Sequence, residues 1–235
     1  MQDTTKLAIP AGTFEGDLAT SSGLVGSHAP IVDRVSSKRA FDITVALIAV
    51  FALSLVFVLV AIAIKLSSRG PVLFKHGRIG RNGERFDCLK FRTMHAAGDA
   101  ILRDHLDAHP AARAEWQATQ KLHHDPRITA LGRVLRKSSV DELPQLINIL
   151  RGDMSLVGPR PIVQSEVPRY GAHIRAYCSV RPGLTGLWQV SGRSDTSYDQ
   201  RVAFDCEYVA RRTFLYDLGI ILRTLPAVFA ARGAC

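Results

Sequence analysis

The stretch ITVALIAVFALSLVFVLVAIAI, residues 43–64, decides how this chain is organised. Its 22 residues carry no charge, and as a helix they would extend about 33 Å at roughly 1.5 Å per residue, enough to cross a bilayer. A helix buried in a globular core is the alternative. Such a helix usually keeps a polar face, whereas only Thr44 and Ser54 interrupt this run. The stretch therefore predicts one membrane-inserted helix.

Positive charge flanks the apolar stretch on both sides. The flanking cations are Arg34, Lys38 and Arg39 before it, and Lys65, Arg69, Lys75, Arg78 and Arg81 after it. Because Lys and Arg are enriched in cytoplasmic segments, a re-entrant helix that returns to the same face satisfies both flanks. Such a bend needs a break in the backbone hydrogen bonds, and without Pro or Gly the candidate for it is Ser54. The sequence leaves re-entrant and single-pass topologies open.

Composition narrows the classes of partner. The 235 residues carry a formal net charge of +9, with a sequence pI near 9.8. Nucleic acid, phosphorylated substrates and acidic lipid headgroups all suit such a charge. The four cysteines, Cys88, Cys178, Cys206 and Cys235, contain no C-x-x-C pair, which argues against a zinc site or a disulfide scaffold. A reducing cytosolic environment fits this pattern.

The predicted fold class is α+β and mostly helical. Residues 1–37 are predicted to be a disordered tail, 38–66 the membrane-inserted helix, and 67–235 a domain at the cytoplasmic face. Residues 72–75 and 85–91, around Arg81-Asn82-Gly83, predict a small β-hairpin. The glycines and arginines of this segment also allow a phosphate-binding loop, although their spacing matches no known phosphate motif.

Two helical regions follow from apolar spacing and breakers. Residues 97–124 predict polar helices broken at Pro110, where His105 and His109 are more typical of a solvated face than of a metal site. Residues 204–231 have helical apolar spacing with arginines along it. This predicts an amphipathic helix at the membrane surface, with a core helix that exposes a basic face as the alternative.

The candidate chemistry lies in DPRITALGRVLRKSSVDELPQLINILRGDMSLVGPRP, residues 125–161, around Asp141-Glu142. Ser139 stands three residues before Glu142 as in a capping box, and Pro144 fits a first helical turn, so a helix is predicted to begin at this acidic pair. Two acids at a helix start are often only caps. Here they stand among the cations Arg127, Arg133, Arg136, Lys137, Arg151 and Arg160.

That cationic setting favours catalysis over capping. Both acids are expected to stay ionised. One carboxylate nucleophile, one ligand for a hard cation and several phosphate-binding donors are what magnesium-assisted phosphoryl transfer requires. Pro159-Arg160-Pro161 is predicted to hold its arginine on a stiff loop, with a rigid surface turn as the alternative.

From residue 38 to the C-terminus the chain resembles the bacterial sugar transferase family, the monotopic polyprenyl-phosphate phosphoglycosyl transferases, and especially the short members that initiate exopolysaccharide synthesis. The motifs that carry this resemblance stand in family order: KRAFDITVAL, SSRGPVLFKHGRIGRNGERF, KFRTM, DPRIT, SSVDELPQLINILRGDMSLVGPRP, RPGLTGLWQVSGR, FDCEYV and FLYDLGIILRT.

The resemblance implies a transferase that moves a hexose 1-phosphate from a UDP-hexose to polyprenyl phosphate and releases UMP. By that resemblance Asp141 would be the nucleophile that forms a covalent aspartyl phosphosugar, and Glu142 would hold Mg²⁺. Asp217 would support the metal or the phosphates. The residues it implies for substrate binding are Arg136, Pro159, Arg160, Pro161 and Arg193.

The resemblance also implies a place in the cell: the bacterial inner membrane, with the catalytic domain facing the cytoplasm. Two residues depart from the family pattern. Leu55 follows Ser54 where family members usually have a proline, so the same-face topology is implied less strongly, and Val140 replaces a leucine. The choice of sugar and the oligomeric state, a homo-oligomer included, stay open.

Two other classes of function compete with this interpretation. One is a catalytically inactive, membrane-anchored scaffold that binds an acidic partner, against which the intact Asp141-Glu142 pair argues. The other is nucleic-acid binding, which the charge alone allows. It ranks last because the sequence has no recognition-helix motif and no interleaved aromatic residues.

Overall fold

A computed structural model describes residues 31–191 and 196–229 of the chain. Residues 1–30, most of the predicted tail, lie outside the described part. The helices, in chain order, are α1 (Ile31–Ala52), α2 (Ser54–Ser67), α3 (Gly98–Ala108), α4 (Pro110–Thr119), α5 (Ala130–Lys137), α6 (Gln145–Arg151), α7 (Val167–Tyr170), α8 (Ile174–Cys178), α9 (Leu187–Ser191), α10 (Tyr198–Arg211) and α11 (Phe214–Phe229). The described chain is mostly helical, as predicted.

Short 3-10 helices complete the helical part. They are Arg81–Gly83, Val140–Glu142, Gln164–Glu166 and Gly171–His173. The predicted break at Pro110 is confirmed, because α3 ends at Ala108 and Pro110 is the first residue of α4. Proline is tolerated at that position, since a first-turn residue has no intrahelical partner for its backbone nitrogen.

Four strands form two small sheets. Strands β1 (Leu73–Ile79) and β2 (Arg85–Phe91) pair antiparallel, with Lys75 opposite Leu89, which confirms the predicted hairpin. Strands β3 (Ser155–Val157) and β4 (Gly183–Thr185) pair in parallel. This second pair was not predicted, because three-residue strands carry too little alternation to be recognised in a sequence.

The apolar stretch folds as two helices with a bend. Helices α1 and α2 meet at Leu53, one residue before the predicted break at Ser54, and their axes differ by 61°. Within the described residues, no single helix is both long and apolar enough to cross a membrane, whereas the bent pair has the length and composition to do so. Helix α1 begins at Ile31, so the end of the predicted tail is helical.

Both ends of the bent pair dock onto the rest of the protein. Near the N-terminal end, the buried carboxylate of Asp42 accepts hydrogen bonds from Ser155 Oγ, at 2.7 Å, and from the backbone of Leu156. Near the C-terminal end, Ile64 packs in a buried cluster with Phe91 and Leu135. The region between them exposes apolar side chains: Leu47, Ile48, Phe51, Leu55, Val58, Leu59 and Ile62.

The remaining core consists of two apolar clusters. One is centred on α6, β3 and the C-terminal helices, and includes Ile149, Val157 and Ile220. The other joins the end of β1 to α7, α8 and α10 and includes Ile79 and Tyr177. Together they hold the hairpin, α6 and the loop after β3 around a common recess.

Helix α11 combines the two alternatives for the C-terminal region. One face is in the core, where Asp217 and Ile220 are buried. The other exposes Phe214, Leu215, Leu218 and Leu222. The Phe214 ring also meets Phe41 of α1 edge to face, with ring centroids 5.1 Å apart, so the exposed apolar faces of α1 and α11 adjoin.

Candidate active site

The acidic pair stands on a tight reversal between α5 and α6. Ser139 adopts a left-handed backbone conformation with φ of 57°, and the 3-10 helix Val140–Glu142 follows it. Pro144 then precedes α6 with φ of −60°, so a helix begins near the pair as predicted. The predicted capping box is wrong. The Ser139 side chain makes no capping hydrogen bond, and the Glu142 side chain bonds Lys90 instead.

Glu142 lines a shallow recess that is open to solvent. Three cations and two other polar side chains contribute to its walls. The lining residues are Arg78, Cys88, Lys90, Glu142, Gln145, Arg160, Pro161, Gly183, Leu184 and Gln189. These come from the hairpin, α6, the loop after β3 and the motif around β4. The recess is therefore strongly cationic, which suits an anionic ligand.

Lys90 of β2 links the hairpin to the acidic pair. Its Nζ donates a hydrogen bond of 2.6 Å to Oε1 of Glu142. Burial raises the pKa of Glu142, but Lys90, Arg160 and Arg78 outweigh that effect and hold the pKa below its usual value. Glu142 therefore stays ionised, as the sequence predicts.

Asp141 has a different environment from its neighbour. Its residue surface is only 7% exposed, and burial raises the pKa of its carboxyl above the usual value. The negative charge of Glu142 raises that pKa further, while Lys90 and Arg136 oppose both effects. The two adjacent acids thus shift in opposite directions, although they were predicted to behave alike.

The PRP loop, Pro159-Arg160-Pro161, is a buried structural element and not a surface turn. Pro159 and Pro161 are both buried. The Pro159 carbonyl accepts a hydrogen bond of 2.8 Å from the backbone N–H of Gly183, and the Pro161 carbonyl accepts one of 3.0 Å from Nη1 of Arg78. Bonds on both sides fix the backbone from which Arg160 reaches into the recess.

Close backbone packing adds to that rigidity. A Cβ atom at Gly158 would clash with the backbone carbonyl of Arg181, and one at Gly183 would clash with the backbone of Gly158. Glycine at these two positions is therefore required for the loop after β3 to approach β4 closely.

The other predicted site residues are distributed around the recess or lie away from it. Arg136 is near Asp141, and its Nε donates to Oγ1 of Thr93 at 3.0 Å. Asp217 does not line the recess. Its carboxylate accepts hydrogen bonds from Lys38 Nζ at 2.5 Å and from the Tyr208 hydroxyl at 2.9 Å. Arg193 lies outside the described residues.

Metal binding by Asp217 stays a prediction. An ammonium group already neutralises one oxygen of that carboxylate and a hydroxyl bonds the other. Within residues 31–191 and 196–229, no three His, Cys, Asp or Glu side chains are grouped as metal ligands. Glu142 alone stands at the recess, where a hard cation could use a bound phosphate for its remaining ligands.

Lys90 was not predicted to be a site residue, and Arg78 was considered only as a flanking cation or as part of a generic phosphate loop. Both point into the recess from adjacent strands of the hairpin. The only signal for Lys90 was its position at the start of the motif KFRTM. Its proximity to Glu142, 52 residues later, depends on the packing of β2 against the 3-10 helix.

A comparison with known families identifies the chain's family. The family model described as "Bacterial sugar transferase" matches residues 33–231. The chain belongs to the bacterial sugar transferase family. That match includes the bent helix pair and every part of the recess.

Curated relatives extend the family assignment. The chain is 52% identical over 198 residues to "Exopolysaccharide production protein ExoY" of Sinorhizobium fredii, covering 84% of this chain and 88% of that protein. It is 40% identical to "UDP-glucose:undecaprenyl-phosphate glucose-1-phosphate transferase" of Caulobacter vibrioides, covering 93% of this chain and 80% of that protein.

A third relative is longer. The chain is 46% identical to "Undecaprenyl-phosphate galactose phosphotransferase" of Salmonella typhimurium, covering 84% of this chain but only 41% of that protein. The aligned part is 197 residues long. As a bacterial sugar transferase, the chain is an enzyme of the transferase class.

Proposed function

We propose that this bacterial sugar transferase moves a hexose 1-phosphate from a UDP-hexose to a polyprenyl phosphate, releases UMP and thereby initiates exopolysaccharide assembly. The observation that carries the proposal is the recess itself. In it the ionised Glu142 lies among Arg78, Lys90 and Arg160. Asp141, the residue before Glu142, is buried beside the recess and is not among the side chains that line it. The named activities of the Caulobacter and Salmonella relatives support the same reaction class.

In the first step, an oxygen of the Asp141 carboxylate attacks the phosphorus that carries the hexose. The bond from that phosphorus to the oxygen bridging the two phosphates breaks, and UMP leaves with the bonding electron pair. An aspartyl phosphosugar remains. Lys90, Arg78 and Arg160 supply positive charge where the phosphate oxygens gather negative charge.

The second step exchanges the enzyme for the lipid. A phosphate oxygen of the polyprenyl phosphate attacks the phosphorus of the adduct, and the Asp141 carboxylate leaves with its electron pair. The product is a polyprenyl diphosphate hexose whose glycosidic bond has not been touched. The raised pKa makes the Asp141 carboxylate more basic than an ordinary aspartate, and Lys90 and Arg136 favour the ionised form that attacks in the first step.

Glu142 fits a Mg²⁺ ion as one of its ligands. Mg²⁺ commonly binds one or two carboxylates and completes its shell with water and substrate phosphates, so a single acid at the recess is a sufficient protein contribution. Bound there, the ion would neutralise non-bridging phosphate oxygens. The protein's own part is to hold the Glu142 carboxylate ionised, which its lowered pKa ensures.

The proposed location is the cytoplasmic face of the bacterial inner membrane. Asp42 and Ile64, near the two ends of the bent pair, contact the same domain, whereas a crossing helix would separate its ends by a bilayer of about 30 Å. The exposed apolar region between them, together with the exposed side of α11, supports a re-entrant insertion. The recess would then face a lipid phosphate at the headgroup level.

The test is release of UMP by the full-length protein in phospholipid nanodiscs supplied with undecaprenyl phosphate. UDP-galactose and UDP-glucose are the first donors to assay, because the relatives are named for both sugars. We expect UMP release from at least one of them, dependent on Mg²⁺. Absence of release from a broad panel of UDP-sugars would favour the inactive scaffold.

A further inference from the structure

The motif RPGLTGLWQVSGR, residues 181–193, has no role in the proposed reaction so far, yet its tryptophan lies among the cations of the site. The Cζ atom of Arg160 is 5.6 Å from the centroid of the Trp188 ring, and that of Arg201 is 5.0 Å from it. Guanidinium groups at such distances are attracted to the negative face of the indole. Trp188 therefore contacts both a recess arginine and an arginine outside the recess.

A carboxylate connects the second arginine to the other side of the recess. Glu166 accepts a hydrogen bond of 3.2 Å from Nη1 of Arg201, and its other oxygen lies 3.9 Å from Nη1 of Arg78. The same oxygen also accepts the backbone N–H of Val163, which fixes the carboxylate. A continuous series of contacts thus joins Arg160 to Arg78 through Trp188, Arg201 and Glu166.

These contacts oppose a repulsion. Arg78 and Arg160 both line the recess. The pKa of Arg78 is lowered mainly by burial, and the positive charge of Arg160 is the second largest cause. Two like charges in one recess separate unless other groups hold them. Here Trp188 contacts the guanidinium of Arg160, and Glu166 lies beside the guanidinium of Arg78.

Arg201 is positioned by its hydrogen bond to Glu166 and by contacts with two aromatic rings. Its Nε and Nη2 atoms are buried and have no hydrogen-bond partner among the described residues, while its guanidinium lies against the rings of both Trp188 and Tyr198. The indole Nε1–H of Trp188 in turn donates to Oγ1 of Thr196 at 2.6 Å. The ring plane that orients the arginines is therefore itself fixed.

We propose that Trp188 and Glu166 are positioning residues that hold Arg160 and Arg78 together in the recess, at the spacing needed to bind the diphosphate of the donor. This rests on the proposed function, because it identifies what the recess binds. Neither residue is required to touch the substrate. Their loss is expected to weaken diphosphate binding while the nucleophile stays intact.

The experiment measures UDP binding by isothermal titration calorimetry, with the full-length protein in nanodiscs. We expect Trp188→Leu to weaken UDP binding about tenfold, since two cation–π contacts are lost. Trp188→Phe keeps an aromatic face and is expected to stay within about threefold of the unmodified protein. The matched control is Trp116→Leu. Trp116 lies in α4, its ring centroid is 5.0 Å from Cζ of Arg127, and neither residue lines the recess. That variant is expected to bind UDP normally.

Glu166→Gln keeps the size of the side chain and provides a second, independent variant. We expect about fivefold weaker UDP binding from it, with KM for the UDP-hexose raised by a similar factor. If Trp188→Leu does not fold, Glu166→Gln still tests the positioning role. Unchanged UDP affinity in Glu166→Gln, or an equal loss in Trp116→Leu and Trp188→Leu, would overturn the inference.

Failure of the proposed function gives a different result. A protein that binds UDP with these variant effects but releases no UMP contradicts the proposed reaction and leaves the positioning role intact. A protein that does not bind UDP at all contradicts the positioning role as well.

Discussion

Lys90 Nζ lies 2.6 Å from Oε1 of Glu142, which connects strand β2 to the 3-10 helix that carries Asp141. The same ammonium group acts to lower the pKa of both acids, although burial still keeps the pKa of Asp141 above its usual value. Lys90 is thus the neighbouring charge with the largest effect on the pKa of each acid. Its position also explains why the pair does not act as a simple helix cap.

The pH profile of UMP release tests this dependence. Asp141 must be ionised to attack, and its raised pKa means that kcat/KM falls with decreasing pH at a higher pH than for an ordinary aspartate near 3.8. Lys90→Ala removes the main cation that lowers this pKa. We expect the acidic limb of the profile to move to higher pH and kcat/KM at neutral pH to fall about a hundredfold.

Lys75→Ala is the control for that variant. Lys75 stands on the same hairpin, where it pairs with Asp87 at 3.6 Å, but both side chains are largely exposed. Its loss is expected to leave the profile unchanged. An unshifted acidic limb in Lys90→Ala would show that Lys90 does not set the ionisation of Asp141.

Asp205 should make stability depend on pH. Burial raises the pKa of Asp205 to about 6, although the Tyr170 hydroxyl, which donates to it at 2.6 Å, lowers it. The folded protein therefore holds a proton that the unfolded chain has lost between about pH 4 and 6, so this group reduces stability as pH rises through that range. Asn cannot ionise but still accepts the bond.

The measurement is the melting temperature of Asp205→Asn relative to the unmodified protein. The melting temperature of Asp205→Asn should rise relative to that of the unmodified protein as pH increases from 4.5 to 7, a range that includes the pKa of about 6. Asp199→Asn, on the exposed side of the same helix, serves as the control. A difference that does not change with pH would mean that Asp205 is ionised throughout.

Asp217 is expected to stabilise the fold by fastening α11 to α1. Asp217→Ala leaves the Lys38 ammonium and the Tyr208 hydroxyl without their carboxylate. Because Lys38 is 29% exposed, we expect a loss of about 2 kcal/mol in the free energy of unfolding, below the range for fully buried pairs. Chemical denaturation measures that loss, and a Mg²⁺ titration of UMP release measures any effect on metal affinity.

The same titration separates the two roles of Asp217. A structural clamp predicts reduced stability with an unchanged Mg²⁺ requirement, whereas a metal ligand predicts the reverse. Asp107→Ala breaks an exposed pair with Arg113 and should cost less than about 1 kcal/mol. If Asp217→Ala is as stable as Asp107→Ala and needs more Mg²⁺, the clamp is wrong.

Phe51 tests insertion of the bent pair. It is 85% exposed and lies two residues before the bend at Leu53. A carboxylate at the centre of a membrane helix costs about 3 kcal/mol, so Phe51→Asp should lower the fraction of protein that floats with liposomes. Ala118→Asp, on the exposed surface of α4, is the control. Equal flotation of both variants would contradict insertion at this point.

Local patterns predicted much of the fold. The hairpin, the helix break at Pro110 and the helix start near Asp141 all follow from turn residues and proline positions, which act within a few residues of the chain. The acidic pair and Arg160 of the site also stood out, because two adjacent carboxylates inside a cationic cluster suit metal-assisted phosphoryl transfer.

Contacts between distant segments could not be predicted in this way. The capping box failed because Glu142 bonds Lys90, 52 residues earlier in the chain. The interaction of Lys38 with Asp217 spans 179 residues and leaves no periodic signal. Opposite pKa shifts in Asp141 and Glu142 depend on burial that differs between neighbours, and a sequence does not show which of two adjacent side chains faces the recess.

The most direct test of the account is to trap the phosphosugar on Asp141. The full-length protein is incubated with the active UDP-hexose and Mg²⁺ but without polyprenyl phosphate, and the intact protein and its peptides are measured by mass spectrometry. We predict one added hexose phosphate on the peptide containing Asp141, and none in Asp141→Asn. Continued UMP release by Asp141→Asn, or an adduct on another residue, would contradict the central claim.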